Sequence, residues 1–464
     1  MNGSYRTTAG FILLLALIGA GFISGNAIGA RLRRHSDNTL IPWMPGSNSA
    51  EEDRSAPTAT PSEVFASVLE KIQQDYVGST GSVPITDLRL TEGAVSHMVA
   101  SLQDPRTNYL DPKQTKLRIN SLLGRLSGIG ADFAIISRHS NGDDLNYSFL
   151  TVRSVAPGGP AERAGLHSGD HITSIDDQWI IAYPVLSDSS NKPGGLPDRK
   201  RDDPKQPVDQ YIKPGISAAH AIQILTSGTG KTLHLTIARA GQTAPQQIAV
   251  TTCQTIVPSA QNTLMGRGIL YLRVASFNSD EAAVVEAALN RRQDWSVGLI
   301  IDLRQNAGGV EAEGGSRLDG YRYALELIRH ITKKRAVAQI ERAPGVRKPI
   351  TGGGPIPTIN SRARVAVLID AGTSNIAEMA AAALRDAGGA KLIGSHTFGD
   401  GVLPYLCVLK EGGAIEMASA HLFTAGGGDL SDGLDPDIPV GFVAQPVGGP
   451  EDPGMQRAMS FVSG

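Results

Sequence analysis

This chain of 464 residues lacks an excess of charge of either sign: 43 Lys and Arg stand against 45 Asp and Glu, a formal net charge of −2. That balance leaves no basic footprint for a nucleic-acid partner. Cysteine is nearly absent. Cys253 and Cys407 form neither a metal-ligand spacing nor a redox motif. Each lies in an alternating apolar run and reads as a buried thiol, with a disulfide left open if the protein is exported. The histidines are scattered, with no H-E-x-x-H. His167 and His171, four apart, span a Ser-Gly-Asp turn and read as solvated. The glycine clusters at 352–354 and 426–428 lack the lysine and helix start of a phosphate loop. No metal and no cofactor is therefore expected. Internal repeats and heptad runs are missing too. What remains is 41% apolar and 19% charged, rich in glycine and poor in aromatics. That is the composition of a soluble globular protein with many turns, long enough for at least two cores.

Only one long apolar run occurs, at residues 11–23, with weaker apolar character continuing to Ala30. The strict run has the length of a signal-peptide core; the longer one can span a bilayer. Ala27-Ile28-Gly29 offers a small-x-small cleavage site. Arg6 alone precedes the run, while Arg31, Arg33 and Arg34 follow it, and the positive-inside tendency would hold that flank in the cytoplasm. Residues 1–35 are expected to be a signal peptide or membrane anchor. Residues 36–61, rich in Ser, Pro and acidic side chains, are expected to be a disordered tether.

From Ser62 the apolar spacing becomes helical: Val64, Phe65, Val68, Leu69, Ile72 and Tyr76, with Ser62 as N-cap. A second helix is expected over 91–102, ended by Asp104-Pro105, and a third from Asp111-Pro112. An N-terminal helical segment thus covers 62–125. Gly128-Ile129-Gly130 opens an alternating, β-rich region placed at 126–252. A polar stretch near 183–214 reads as a surface insertion. Strands then alternate with helices over 253–445, which implies a sheet covered by helices. Residues 446–464 read as a tail.

Five colinear segments resemble the carboxyl-terminal processing proteases, PDZ-containing serine peptidases of the tail-specific type. Ser101-Leu102-Gln103-Asp104-Pro105-Arg106-Thr107-Asn108-Tyr109-Leu110 is similar to the family's S-L-D-P-H-S-x-Y-L. Gly128-Ile129-Gly130, with Pro160-Ala161-Glu162-Arg163-Ala164-Gly165-Leu166 and Gly169-Asp170, is similar to its PDZ pattern. Asp302-Leu303-Arg304-Gln305-Asn306-Ala307-Gly308-Gly309 is similar to D-L-R-x-N-P-G-G, and the stretch from Asp370 through Gly401 spans the family's catalytic segments. Gly433-Leu434-Asp435-Pro436-Asp437 matches the family's G-I-x-P-D. The resemblance implies an α/β fold: a ClpP/crotonase-like protease core with an inserted PDZ-like domain.

It also locates what has changed. The family's nucleophilic serine, in G-[ST]-A-S-A-S-E, falls on Asn375. Its lysine base, in F-G-K-G, falls on Asp400, and its glutamine falls on Pro404. Asn375 has no ionisable hydroxyl, and a serine–lysine mechanism needs both an activated hydroxyl and a neutral amine. Gly308 and Gly309 are expected to retain the oxyanion-hole position. Ser374, with His396 and Asp400, is the substitute nucleophile to weigh, and Thr373 is a weaker one. Gly128, Ile129, Gly130 and Ala131 are expected to take a peptide C-terminus, which needs no reactive side chain. Asp170 and Asp302 read as structural, with Arg304 as a candidate partner.

These observations lead to one expected function. It is a catalytically deficient homologue, held at the membrane of the cell envelope, that binds protein C-termini as a scaffold or as a regulator of an active relative. The alternative is an active serine-type endopeptidase that processes protein C-termini.

Overall fold

A computed structural model describes residues 60–77, 86–102, 104, 106–139, 146–181, 215–266, 268–291, 297–313, 316–332, 336–352, 363–441 and 451–464. The expected anchor, most of the tether and the insertion at 183–214 lie outside these residues. The chain divides into two compact units, 1–82 and 83–464.

In the first unit, α1 (Pro61–Asp75) begins two residues earlier than the apolar spacing indicated. Its N-cap is Thr60, not Ser62, and Thr60 and Glu63 form a reciprocal capping box with Pro61 in the first turn.

The second unit opens with α2 (Asp87–Ala100), β1 (Asn108–Leu110), α3 (Pro112–Leu122) and β2 (Arg125–Leu126). Asp111 and Gln114 form the capping box of α3. The β-rich part comprises β3 (Ala131–His139), β4 (Asn146–Val155), α4 (Pro160–Arg163), β5 (His171–Ile175) and β6 (Gln178–Ile181). It continues through β7 (Ile216–Ser217), α5 (Ala218–Leu225), β8 (Thr232–Ala238) and β9 (Gln246–Thr251). Its strands run β3-β4-β5-β6-β7, with β8 on β5 and β9 on β8, so β3 is an edge strand. Ile129, Val152, Leu166, Leu225, Leu233 and Ile237 fill its core. Next come β10 (Thr255–Ile256), which pairs with β2, and then β11 (Ala260–Met265), β12 (Ile269–Val274), α6 (Ser279–Asn290), β13 (Gly298–Asp302) and β14 (Glu311–Ala312).

The chain continues through α7 (Gly320–Ile331), β15 (Ala336–Ala343), β16 (Val346–Thr351), β17 (Arg364–Ile369), α8 (Ile376–Asp386) and β18 (Lys391–Gly394). It ends with β19 (Val402–Val408), β20 (Ala414–Thr424), β21 (Ile438–Pro439) and α9 (Pro453–Ser463). Strands β12, β13, β17, β18 and β21 are parallel neighbours, with β11 antiparallel at one edge. A second sheet runs β14-β19-β20-β15-β16, and β1 adds to β20.

Every residue of β12 and β13 is buried, as parallel strands covered on both faces should be. Leu270, Leu272, Leu299, Ile301, Val365 and Val367 face α6, α7 and α8. The alternate residues Ile269, Tyr271, Ile300, Ala366 and Leu368 face Met455, Ala458 and Val462 of α9. Residues 446–464 are therefore not simply a tail: 453–463 form the helix that covers the second face of the parallel sheet. Helix α8 is buried from Ile376 to Leu384, and its Ala377 and Ala380–Ala383 are small enough for close approach to both sheets.

The structure assigns Asp302 and Asp170 the structural roles expected of them. Arg304 grips buried Asp302 with two hydrogen bonds and also reaches Asp452, the N-cap of α9. Arg239 grips Asp170 in the same way. Burial alone would raise the Asp302 pKa, but Arg304 and Arg273 outweigh it and hold the group below the ordinary range. Cys253 and Cys407 are free, half-buried thiols. Among the described residues no helix is long and apolar enough to cross a membrane.

Removing Arg304 leaves a buried, uncompensated carboxylate at Asp302. Arg304→Ala should therefore destabilise the second unit by about 3–5 kcal/mol, read as a lower denaturant midpoint at an unchanged slope.

Candidate functional site

The strand–turn–helix from β17 to α8 builds the centre of the site. Asp370 caps the turn, accepting hydrogen bonds from the N–H groups of Gln305 and Gly372. The Thr373 hydroxyl donates to Leu303 O, so Thr373 is a turn brace. Asn375 is the N-cap of α8, at φ 40°, ψ −108°. A positive φ is uncommon outside glycine and marks a strained corner. The corner is held by main-chain bonds: Asn375 N–H donates to Glu378 Oε2 at 2.8 Å, and Met379 N–H donates to Asn375 O.

Asn375 is wholly buried, and its Oδ1 accepts the Ile376 N–H. The side chain lies against the Gly308 turn, where a Cβ on Gly308 would overlap Asn375 Oδ1. Among the described residues Asn375 Nδ2 finds no hydrogen-bond partner. Ser374 is equally buried and its Oγ is also unpartnered, so the structure does not assemble a Ser374–His396–Asp400 relay. His396 instead pairs through Nδ1 with Asp435, at the surface. The Gly308 N–H is taken by Asn306 Oδ1 at 2.8 Å. The glycine pair read as oxyanion donors thus has one donor engaged inside its own turn. Gly308 and Gly309 line a small cavity of about 80 Å³.

Asp400 lies in the loop before β19, where Arg106 Nε donates to its Oδ1 at 3.1 Å. Asp104 accepts from the Arg106 N–H and the Thr107 hydroxyl, which folds the turn that delivers this arginine. Arg153 Nη1, on β4, stands 3.9 Å from Asp400 Oδ2. Pro404 follows at a bulge in the β19–β20 pairing, where its missing N–H costs the ladder little. Asp400 and Pro404 line a second cavity of about 240 Å³, bounded also by Phe133 and Ile135 of β3 and Ala219 and Ile222 of α5.

Glu378 joins these parts, and its position in the sequence did not disclose that role. Its carboxylate accepts four donors: the N–H groups of Asn375 (2.8 Å), Gly399 (2.7 Å) and Asp400 (3.2 Å), and the Thr397 hydroxyl. Burial pushes its pKa up to about 7, and the nearby Asp400 charge adds to that, although the donors from Thr397, Gly399 and Asp400 oppose it. Gln305, at φ 57°, is the other residue that sequence reasoning missed. Its Oε1 accepts Val155 N–H and the Ser168 hydroxyl from the β-rich part, and its Nε2 donates to Asp370. The only signal for it was its place between Arg304 and Asn306.

The residues expected to take a peptide C-terminus divide. Ala131 lines the 240 Å³ cavity, as does Ser127. Gly128 and Gly130 have φ 83° and 73°, which a side chain would disfavour. Ile129 is buried and its N–H donates to Leu225 O, so that amide is engaged within the domain rather than turned to the groove.

Comparison with known proteins agrees with this architecture. The profile of peptidase family S41 matches residues 268–440, and that of the PDZ domain matches residues 151–183. A chloroplastic C-terminal processing peptidase of Tetradesmus obliquus is 26% identical over 375 residues, 79% of this chain and 71% of its own length. A carboxy-terminal-processing protease of Bartonella bacilliformis is 26% identical over 382 residues, 81% of this chain and 74% of its own. The fold matches the photosystem II D1 C-terminal processing protease with a TM-score of 0.55 at 20% identity, covering 88% of this chain and 98% of that one.

The raised Glu378 pKa sets a pH dependence. Its folded value lies above the ordinary 4.5, so the native state holds the proton more tightly than the unfolded chain. The stabilisation is fully present below that ordinary value and is lost as pH rises through about 7. Relative to Glu378→Gln, the parent should lose up to about 3 kcal/mol between roughly pH 5 and pH 8, measured as the difference between two denaturation series. A difference independent of pH would contradict this assignment. The S41 profile over residues 268–440, the PDZ profile over 151–183 and relatives at 26% identity thus make the chain similar to the C-terminal processing proteases over most of its length.

Proposed function

We propose that this chain binds protein C-termini in the groove between β3 and α5 and does not cut them. Support for binding comes from the β3 edge, unpaired among the described residues, beside a cavity walled by Phe133, Ile135, Ala219 and Ile222. An extended tail can add to such an edge as a further strand, its side chains entering the cavity.

Support for the absence of cutting comes from one observation: the position that carries the serine in the resembling family holds Asn375, buried beneath the Gly308 turn. Its amide cannot supply a nucleophilic oxygen, and Asp400 is an anion paired with Arg106 rather than a neutral amine. Loss of a nucleophile alone costs several powers of ten in rate. On this reading the protein serves in the cell envelope, tethered through residues 1–35, as a scaffold or a regulator of an active relative.

The names of its relatives, C-terminal processing peptidases and proteases, favour a second reading, an active endopeptidase, for which Ser374 is the substitute nucleophile to test. Incubation with an unfolded protein substrate separates the two. The binding reading expects no turnover above background; turnover abolished by Ser374→Ala would overturn it. A titration with peptides ending in a free or an amidated carboxylate checks binding. The free form should bind at least roughly tenfold more tightly, and equal affinity would remove the groove from the account. Mass spectrometry of the mature N-terminus tests the tether: a mass corresponding to loss of the first 20–35 residues would contradict it.

A further inference from the structure

Six side chains around the 240 Å³ cavity alternate in charge. Arg106 Nε meets Asp400 Oδ1 at 3.1 Å, and Arg153 Nη1 lies 3.9 Å from Asp400 Oδ2. The same Nη1 lies 3.8 Å from Asp132 Oδ2, and Arg118 Nη1 lies 3.7 Å from Asp132 Oδ1. Arg118 then grips Glu416 with two hydrogen bonds, of 2.8 and 2.6 Å. All six line the cavity.

The ladder joins three parts of the second unit, each giving two members. Arg106 and Arg118 come from the turn before β1 and from α3. Asp132 and Arg153 come from β3 and β4 of the PDZ-like part. Asp400 and Glu416 come from the core.

Five of the six members are shielded, and Arg106, at 37% exposure, closes the ladder at its solvent end. Arg118, Asp132, Arg153 and Glu416 have side-chain exposures of 13–22%, and Asp400 only 6%. At such depth charge pairs are screened less than on an open surface. Burial would lower the Arg118 pKa, but Glu416 and Asp132 outweigh it and hold the guanidinium above its ordinary value. Arg153 also donates from Nη2 to Phe133 O, so it touches the groove strand itself.

A lysine at position 400, the residue expected there from the family motif, would put three cations side by side: Arg106, the lysine and Arg153. Aspartate supplies the missing acidic member, and Arg106 stands where the motif has histidine. The two departures from the motif are thus in direct contact.

We propose that Asp400 and Arg106 are positioning residues of the groove: through Arg153 and Asp132 they fasten β3 to the core and hold its free edge at a fixed distance from the opposite wall. The position of a lost base has become one end of an interdomain clasp. The inference rests on the tail-binding reading for its consequence, though not for the clasp itself.

The test uses the full chain with Asp400→Asn and Arg106→Gln, singly and together, Asp400→Lys, and Asp435→Asn as a remote control. Two quantities are read. One is the Kd of a fluorescein-labelled decapeptide ending in Leu-Val with a free carboxylate. The other is the distance distribution between spin labels at Gln242→Cys and Glu411→Cys in a Cys253→Ser, Cys407→Ser background.

Asp400→Lys should broaden the distances and weaken the peptide on the order of tenfold, with Asp435→Asn like the parent. The double variant should lose no more than Asp400→Asn alone, because Arg106 acts through Asp400. Unchanged distances, unchanged or tighter peptide binding, or independent losses in the double variant would each overturn the proposal. Should the decapeptide fail to bind the parent, the distances alone decide the clasp, and the groove reading fails separately. Should Asp400→Lys not fold, the asparagine and glutamine series decides it.

Discussion

One buried carboxylate fixes the geometry on which the rest of the site depends. Glu378 accepts donors from both segments that matter, Asn375 at the start of α8 and Thr397, Gly399 and Asp400 in the following loop. These segments are distant in sequence, and both have irregular backbone that lacks regular hydrogen bonding. A corner at φ 40° persists only where its surroundings over-determine it. Glu378 supplies that determination, and its burial keeps water from competing. Its raised pKa is the other consequence of the same arrangement: four donors satisfy the group, yet its charge remains costly.

From this hub the two altered positions diverge. Asn375 is turned inward against the Gly308 turn, with its amide nitrogen unpartnered among the described residues. Asp400 is turned outward, to Arg106 and Arg153. On the proposed reading, the strand–turn–helix corner that carries the serine in the resembling family is kept, while the groups at its two key positions are an amide and a carboxylate. The proposed binding role draws on the part of the molecule that needs only backbone and shape, the β3 edge and its cavity. The charge ladder gives the altered loop a task of its own.

The sequence disclosed those features that depend on local chemistry. The helix-covered sheet was legible because strands alternate with helices and strands such as Gly298–Asp302 are continuously apolar. Asp111-Pro112 announced α3 through its cap. The positions of Asn375 and Asp400 followed from framing glycines. Other features were hidden because they depend on distant contacts. Residues 453–463 have a modest pattern of their own, and only the exposed face of the parallel sheet makes Met455, Ala458 and Val462 a helix worth forming. The ladder joins side chains as much as 310 positions apart (416 − 106), which no local pattern reveals. Ile129 looked like part of an open anion loop, but its N–H is bonded to the end of α5.

The most direct test of the central claim is chemical labelling. The protein would be incubated with a fluorophosphonate, which phosphonylates activated serine hydroxyls with loss of fluoride, and its intact mass measured. The account predicts an unmodified chain, because Ser374 Oγ is buried without a base and Asn375 has no hydroxyl. A single stoichiometric adduct mapped to Ser374 would contradict it.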